Sequence, residues 1–344
     1  MLPSRTSRPR QDMRECPGMD IPPSPAAWSV QTHPRARQCA DAVLMVRPAR
    51  FGYNPQTALT NAFQRPAEGP GVGDAARAEC DALASALAGE GVRVCLIEDT
   101  PEPAKPDAVF PNNWVSFHAD GTVVLYPMQA PSRRAERRRE AIDAVSERLG
   151  YRVSRVLDLT HHERQGRFLE GTGSLVLDHR SRLAFACRSP RTDTRVLAEW
   201  ARELDYEPVV FDAADRAGTA IYHTNVLMSI GERLALLGSE AIAQAERGHV
   251  QERLRSPGRE VIDLDHGQIE RFAGNVLELA TWDEALGEYR VLVMSESARR
   301  ALPEGDFARI SACTDEVLCV PVPTIERLGG GSVRCMLAEV FLPS

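Results

Sequence analysis

The chain has 344 residues, 43% of them hydrophobic and 26% charged, with a formal charge of −7. That is enough apolar material for a large core. No apolar run approaches the roughly 18–20 residues that span a bilayer, and no sustained basic segment suits nucleic acid. Of the 41 basic residues only Lys105 is a lysine, in a Pro-punctuated loop without a preceding Gly-x-x-x-x-Gly, which argues against Schiff-base and P-loop chemistry. Eight cysteines contain no Cys-x-x-Cys pair; with no secretory h-region the expectation is a reduced, cytoplasmic protein.

Residues 1–38 hold six Arg and seven Pro without apolar periodicity, and are expected to be a disordered tail. Residues 39–344 are expected to form a single catalytic domain. Ala42–Val46 and Val92–Ile97 read as strands around a helix over Gly73–Gly89. Trp114–Phe117 and Thr122–Tyr126 read as a hairpin across His-Ala-Asp-Gly. Ser132–Leu149 is predicted to be one helix, with Ser132 as N-cap and Gly150 as its stop. Its arginines at 133, 134, 137, 138 and 139 are read as a solvated face. Leu183–Cys187, Arg195–Leu204 and Glu207–Phe211 follow as strand, helix and strand.

A repeat organises these elements. Five segments pair a small or polar residue with an apolar run, and aligned on that residue they fall at 113, 173, 225, 275 and 335. Steps of about 50–60 residues, each carrying a ββαβ-like unit that cannot bury its faces alone, predict an α/β ring of five units. Their strand starts would then meet on one axis. A doubly wound α/β sheet is the alternative.

Three of those strand starts carry chemistry. Cys335 follows Gly329-Gly330-Gly331-Ser332-Val333-Arg334, where glycines allow close approach of a ligand, and a nucleophilic thiol needs a neighbouring base. His223 and Asn225, two apart on a predicted strand, would share a face. Glu170, in Leu-Glu-Gly-Thr-Gly, is a carboxylate in an apolar setting that His223 could partner, with a raised imidazole pKa expected. His161-His162-Glu163 lacks His-Glu-x-x-His spacing, so no metal is expected there.

Phe-Pro-Asn-Asn-Trp at 110–114, Leu-Glu-Gly-Thr-Gly, His-Thr-Asn and Gly-Gly-Gly-Ser-Val-Arg-Cys, in this order, resemble the guanidino-group-modifying superfamily of arginine deiminases, dimethylarginine dimethylaminohydrolases, agmatine deiminases and amidinotransferases. The resemblance covers residues 40–344. Phe-Ala-Gly-Asn at 272–275 and the double Asn at 112–113 look most like the citrulline-utilisation branch. It implies a five-bladed α/β propeller without a cofactor, Cys335 as nucleophile, His223 as general acid/base and Glu170 as its partner. Two positions where deiminases grip a guanidinium with aspartates are Asn113 and Asn225 here. A guanidinium has donors only and a permanent charge, whereas a carboxamide matches the mixed donors and acceptor of a neutral ureido group. The implied substrate is therefore citrulline, hydrolysed to ornithine, carbon dioxide and ammonia. Arginine or methylarginine hydrolysis, amidino transfer and a non-catalytic binding module are the alternatives. By the same resemblance Asp107 would meet an α-ammonium and Arg191 an α-carboxylate. The only partner expected is a small ureido or guanidino amino acid; a homo-oligomer is compatible with the sequence but not specified by it.

Overall fold

Four apolar runs, AVLMVR, LAFAC, LALL and the second half of GEYRVLVMS, are buried on both faces as β1 (Ala42–Arg47), β7 (Leu183–Cys187), β10 (Leu234–Leu237) and β13 (Gly287–Ser295). Continuous rather than alternating apolar sequence is what a strand covered on both sides requires. The computed structural model describes residues 37–66, 71–255, 258–283 and 287–344. The tail predicted over 1–38 lies outside the described residues up to position 36.

Each of those strands is the middle of a three-stranded sheet, and the described residues form five such sheets. β3 (Val115–Phe117) pairs antiparallel with β4 (Thr122–Leu125), which pairs in parallel with β5 (Arg155–Asp158). The same order recurs in β6 (Val176–Asp178), β7 and β8 (Glu207–Phe211), and in β9 (Met228–Ile230), β10 and β11 (Glu260–Asp263). It recurs again in β12 (Leu277–Asp283), β13 and β14 (Glu316–Val320). The remaining sheet joins distant sequence: β15 (Ala338–Glu339) lies antiparallel to β1, and β1 is parallel to β2 (Arg93–Glu98). β15 touches β3, and β9 touches both β6 and β12, so the first strands of the units face a common axis. The predicted ring of five α/β units is the observed fold.

A helix makes each parallel crossover, as parallel pairing demands. Val72–Gly89 buries Ala76, Cys80, Leu83 and Leu87, one stripe at helical spacing. Thr194–Leu204 is started by Asp193, whose side chain accepts from the amides of Arg195 and Val196, and buries Val196, Leu197, Trp200, Ala201 and Leu204. Trp200 is fully buried and donates to Tyr126; truncating it to Ala costs about 3–5 kcal/mol. No disulfide joins the described cysteines, and no helix among the described residues is long and apolar enough to cross a membrane.

Two readings need correction. The predicted helix over 132–149 is a 3-10 turn, Pro131–Glu136, followed by an α-helix, Arg139–Leu149. Ser132 is not its N-cap, although Gly150 does stop it with φ +74°. Arg133 therefore leaves the solvated face and is buried, 2% exposed, between Glu136 and the sheet ends. The five repeat positions also do not begin strands directly. Asn113, Gly173, Asn225 and Cys335 sit on single helical turns before their strands, and Asn275 on an irregular turn before β12.

Candidate active site

These turns point their side chains inward at one end of the ring. Together with the segment that follows β1 they border a narrow cleft, lined among others by Cys335, His223, Asn113, Asp107, Arg133 and Arg191.

Cys335, 3% exposed, lies against two carboxamides. The side-chain nitrogens of Asn225 and Asn275 approach Sγ at 3.5 and 3.3 Å, nearer than their oxygens at 4.0 and 3.6 Å. Asn275 also donates to the backbone oxygen of Asn225, which ties the two together. Asn225 thus faces the thiol as expected, although on a turn rather than a strand. Asn275 was not among the predicted site residues; its place in the five-fold repeat was the available signal.

His223 donates from Nε2 to Glu170 Oε2 at 2.9 Å, so the neutral ring keeps its lone pair on Nδ1. Glu170 is fully buried and saturated: its other oxygen accepts from the Gln129 amide, and Arg191 lies 3.4 Å away. Burial pushes the carboxyl up, but Arg191, His223 and Arg133 outweigh it and hold Glu170 well below the ordinary carboxylate range. For His223 the balance is the reverse of the sequence expectation. Burial pushes the imidazole down to about 4; the bond and charge of Glu170 oppose this, while Arg191 and Arg133 add to it. At neutral pH the resting imidazole is an unprotonated base.

Asn113 connects the two parts of the cavity. Its Oδ1 accepts from Arg133 at 2.7 Å, and since Arg133 can only donate, this fixes which end of the amide is which. Nδ2 is buried without a hydrogen-bond partner. It lies beside His223: a Cβ on Gly173 would come 2.4 Å from that nitrogen and 2.8 Å from the imidazole, so only glycine fits between them.

Asp107 and Arg191 occupy the far end, both buried. A strap from Asn54 to Gln64 covers them. Asn54 and Thr57 donate to Asp107 Oδ2 at 2.7 and 3.1 Å, while Arg191 donates to the Thr57 carbonyl at 2.7 Å and the Thr60 hydroxyl at 2.8 Å. The other Asp107 oxygen is buried and unpartnered. Asn61 and Gln64 seat the strap on the Gly329 carbonyl, and Gly330, at φ +63°, has no room for a Cβ beneath Asn61. This strap is absent from the predicted elements; Asn54-Pro55, a capping residue before proline, was its signal. Arg133 pairs bidentately with Glu136 at 2.9 and 2.8 Å. Burial, opposed by Arg133, raises Glu136 to about 7.

Elsewhere among the described residues, His161, His162 and Glu199 are the group whose ligand atoms gather within 4.8 Å, as a metal would need. His162 Nε2 already bonds Glu199 at 2.8 Å, and Arg134 and Arg164 border the neighbouring cleft.

A family model described as N,N dimethylarginine dimethylhydrolase, eukaryotic, matches residues 47–342. No curated protein matches the sequence. Among solved structures, the apo arginine dihydrolase ArgZ of the cyanobacterial ornithine–ammonia cycle is similar with a TM-score of 0.67 at 19% identity, over 88% of this chain and 41% of that one. AgrE bound to L-arginine gives 0.68 at 18%, over 88% and 40%. A dimethylarginine dimethylaminohydrolase adduct with S-methyl-L-thiocitrulline gives 0.60 at 14%, over 87% and 99%. The chain thus spans about two-fifths of the length of the first two, and at these identities the likeness is one of fold. The family match runs from the end of β1 past β15 and takes in every cavity residue named above, so the chain belongs to the N,N dimethylarginine dimethylhydrolase family and, with it, to the guanidino-group-modifying superfamily.

Proposed function

We propose that residues 39–344 form one catalytic domain that hydrolyses the ureido carbon–nitrogen bond of L-citrulline, giving ornithine, carbon dioxide and ammonia. The observation that carries this reading is the orientation of Asn113. With Oδ1 taken by Arg133, what Asn113 offers the cavity is a buried N–H donor beside the base. A ureido oxygen can accept it; a guanidinium, which has no acceptor, would leave it unpaired at a cost of about 1–3 kcal/mol. Asn225 and Asn275 likewise present amides, not acids, to the sulfur.

In this mechanism Cys335 attacks the ureido carbon and its proton passes to His223 Nδ1. His223 returns the proton to the departing ornithine nitrogen, leaving an S-carbamoyl enzyme. Water, deprotonated by the same imidazole, then releases carbamate, which decomposes to carbon dioxide and ammonia, and the thiol is restored. Glu170 orients the ring and steadies its transient charge. Asp107 would hold the α-ammonium through its unpartnered oxygen and Arg191 the α-carboxylate, displacing the strap contacts of Thr57 and Thr60.

One observation favours a second reading, hydrolysis of arginine. The buried charges around the cavity are Arg133 and Arg191 against Asp107, Glu136 and Glu170, an excess of one negative charge that an additional cation would neutralise. The arginine-bound relative agrees with that reading at the level of ligand class. Purified protein incubated separately with citrulline, arginine and dimethylarginine decides the matter. Ornithine from citrulline at the highest kcat/KM is the expected result; faster turnover of either guanidino compound, or accumulation of citrulline, overturns it.

A further inference from the structure

The first strands of the units have a second end. β3 and β6 follow Asn113 and Gly173 at the Cys335 end and finish at His118 and His179. Those two histidines, with Arg37, Asp120, Arg182 and Phe341, help wall a separate cavity of about 80 Å³. That is far below the roughly 300–1,000 Å³ of drug-sized ligand sites and suits only a molecule of a few atoms.

Hydrogen-bond direction fixes what the two imidazoles present there. Trp200 Nε1, a donor only, gives its proton to Tyr126 Oη at 2.8 Å. Tyr126 must pass its own proton on, and its neighbour is Ser116 Oγ at 2.7 Å. Ser116 in turn donates to His118 Nε2 at 2.7 Å. A neutral imidazole that accepts at Nε2 carries its hydrogen on Nδ1. On the other side, Tyr206 Oη lies 2.7 Å from His179 Nδ1; its proton has no other acceptor among the described residues, so Tyr206 is assigned as the donor and the hydrogen of His179 as lying on Nε2. Both rings are neutral: burial pushes His118 down to about 4 and His179 down to about 3. Arg182 and Arg155 add to the effect at His118 and Arg182 and Arg334 at His179, against Asp120 and Asp178 respectively.

His118 Nδ1–H and His179 Nε2–H have no hydrogen-bond partner among the described residues. His118 is only 6% exposed. The remaining charges leave the cavity short of acceptors. Asp120 is occupied by the amide and hydroxyl of Thr122 at 2.9 and 2.8 Å, and Asp178 by Arg259 at 2.7 Å. Arg182 stands over the Tyr206 ring, its Cζ 4.0 Å from the centroid, and Arg37 pairs loosely with Asp41 at 3.4 Å. Two imidazole donors beside the exposed guanidinium of Arg37 and that of Arg182, which also donates to the Asp205 and Leu204 carbonyls, want an oxygen ligand that carries negative charge.

We infer that this cavity is a binding site for a small oxyanion, a carboxylate or a phosphate, held between His118 Nδ1–H and His179 Nε2–H at the opposite end of the inner strands from Cys335. The site does not depend on which substrate the thiol hydrolyses. The test is an imidazole nitrogen NMR titration of the full ¹⁵N-labelled chain at neutral pH, with inorganic phosphate in one series and acetate in another. Saturable shifts of His118 Nδ1 and His179 Nε2, on a curve distinct from that of His223, are expected with at least one anion, and the series that saturates assigns the ligand class. His118→Phe and His179→Phe should each weaken that binding about tenfold or more, with folding checked by circular dichroism. Should either fail to fold, Ser116→Ala serves instead: it removes the donor that fixes the His118 tautomer and should lower affinity while changing the His118 nitrogen pattern. No saturable shift at these two rings with either anion, because the site is already filled by the chain itself or takes none, overturns the inference. So does unchanged affinity in the folded variants.

Discussion

The two ends of the Cys335 cavity treat charge in opposite ways. Around the sulfur the polar groups are amides, Asn225 and Asn275 on Sγ and Asn113 beside the base. At the far end, Arg133 and Arg191 stand against Asp107 and Glu136, and Arg191 also reaches Glu170 behind His223, all buried and cross-linked. A buried charge persists only with a partner. On the proposed reading the far end receives a zwitterionic head group by exchanging one set of partners for another, whereas near the sulfur the one carboxylate, Glu170, is already engaged by His223 and Arg191. Arg133 joins the two: it holds Glu136 with one face and the Asn113 oxygen with the other.

Substitutions test that division, beginning with the most severe. Cys335→Ala should reduce turnover by about 10⁴-fold or more while calorimetry still detects citrulline binding; loss of binding with the thiol would make the sulfur part of the binding surface. Glu170→Gln removes the negative charge that His223 and Arg191 share, and a fall in kcat on the order of 10²–10⁴-fold is expected. Asn113→Asp keeps an acceptor for Arg133 and turns the donor beside His223 into a second acceptor. It should shift the ratio of kcat/KM for citrulline over arginine by on the order of 100-fold toward arginine; an unchanged ratio would detach Asn113 from specificity. Glu136→Gln loosens Arg133 from outside the cavity and should raise KM about fivefold at pH 8 with kcat nearly intact. Because the Glu136 carboxyl is raised to about 7 by burial against the pull of Arg133, it is ionised above that pH and neutral below it. The KM of the unsubstituted protein should therefore climb toward that of the variant between pH 8 and pH 6, and the variant should lose this dependence.

Much of this was readable from the chain. The elements 183–187, 194–204 and 207–211 appear within one residue of their predicted bounds, since apolar period and caps act over a few neighbours. The repeat at 113, 173, 225, 275 and 335 located the ring because five similar units leave few ways to bury their faces. Arg133 was missed for a physical reason. In a run of five arginines, local pattern favours a wet helix face, and only Glu136, Asn113 and the Phe110 carbonyl, brought together by the closed ring, make burial tolerable. The imidazole of His223 was misjudged in the same way: Glu170 was visible as its partner, but the depth of burial and the two flanking arginines were not.

The seam between β15 and β1 has a consequence for synthesis. Val43 and Leu44 pair with Glu339 and Ala338, and the Val340 amide reaches back to the Ala42 carbonyl. Cys335 lies only three residues before that seam, so the ribosome must release nearly 300 residues after β1 before the thiol meets Asn225, Asn275 and the base. A nascent chain thus makes Cys335 after the other residues that line the cavity, and the thiol reaches them in the same event that locks the circle.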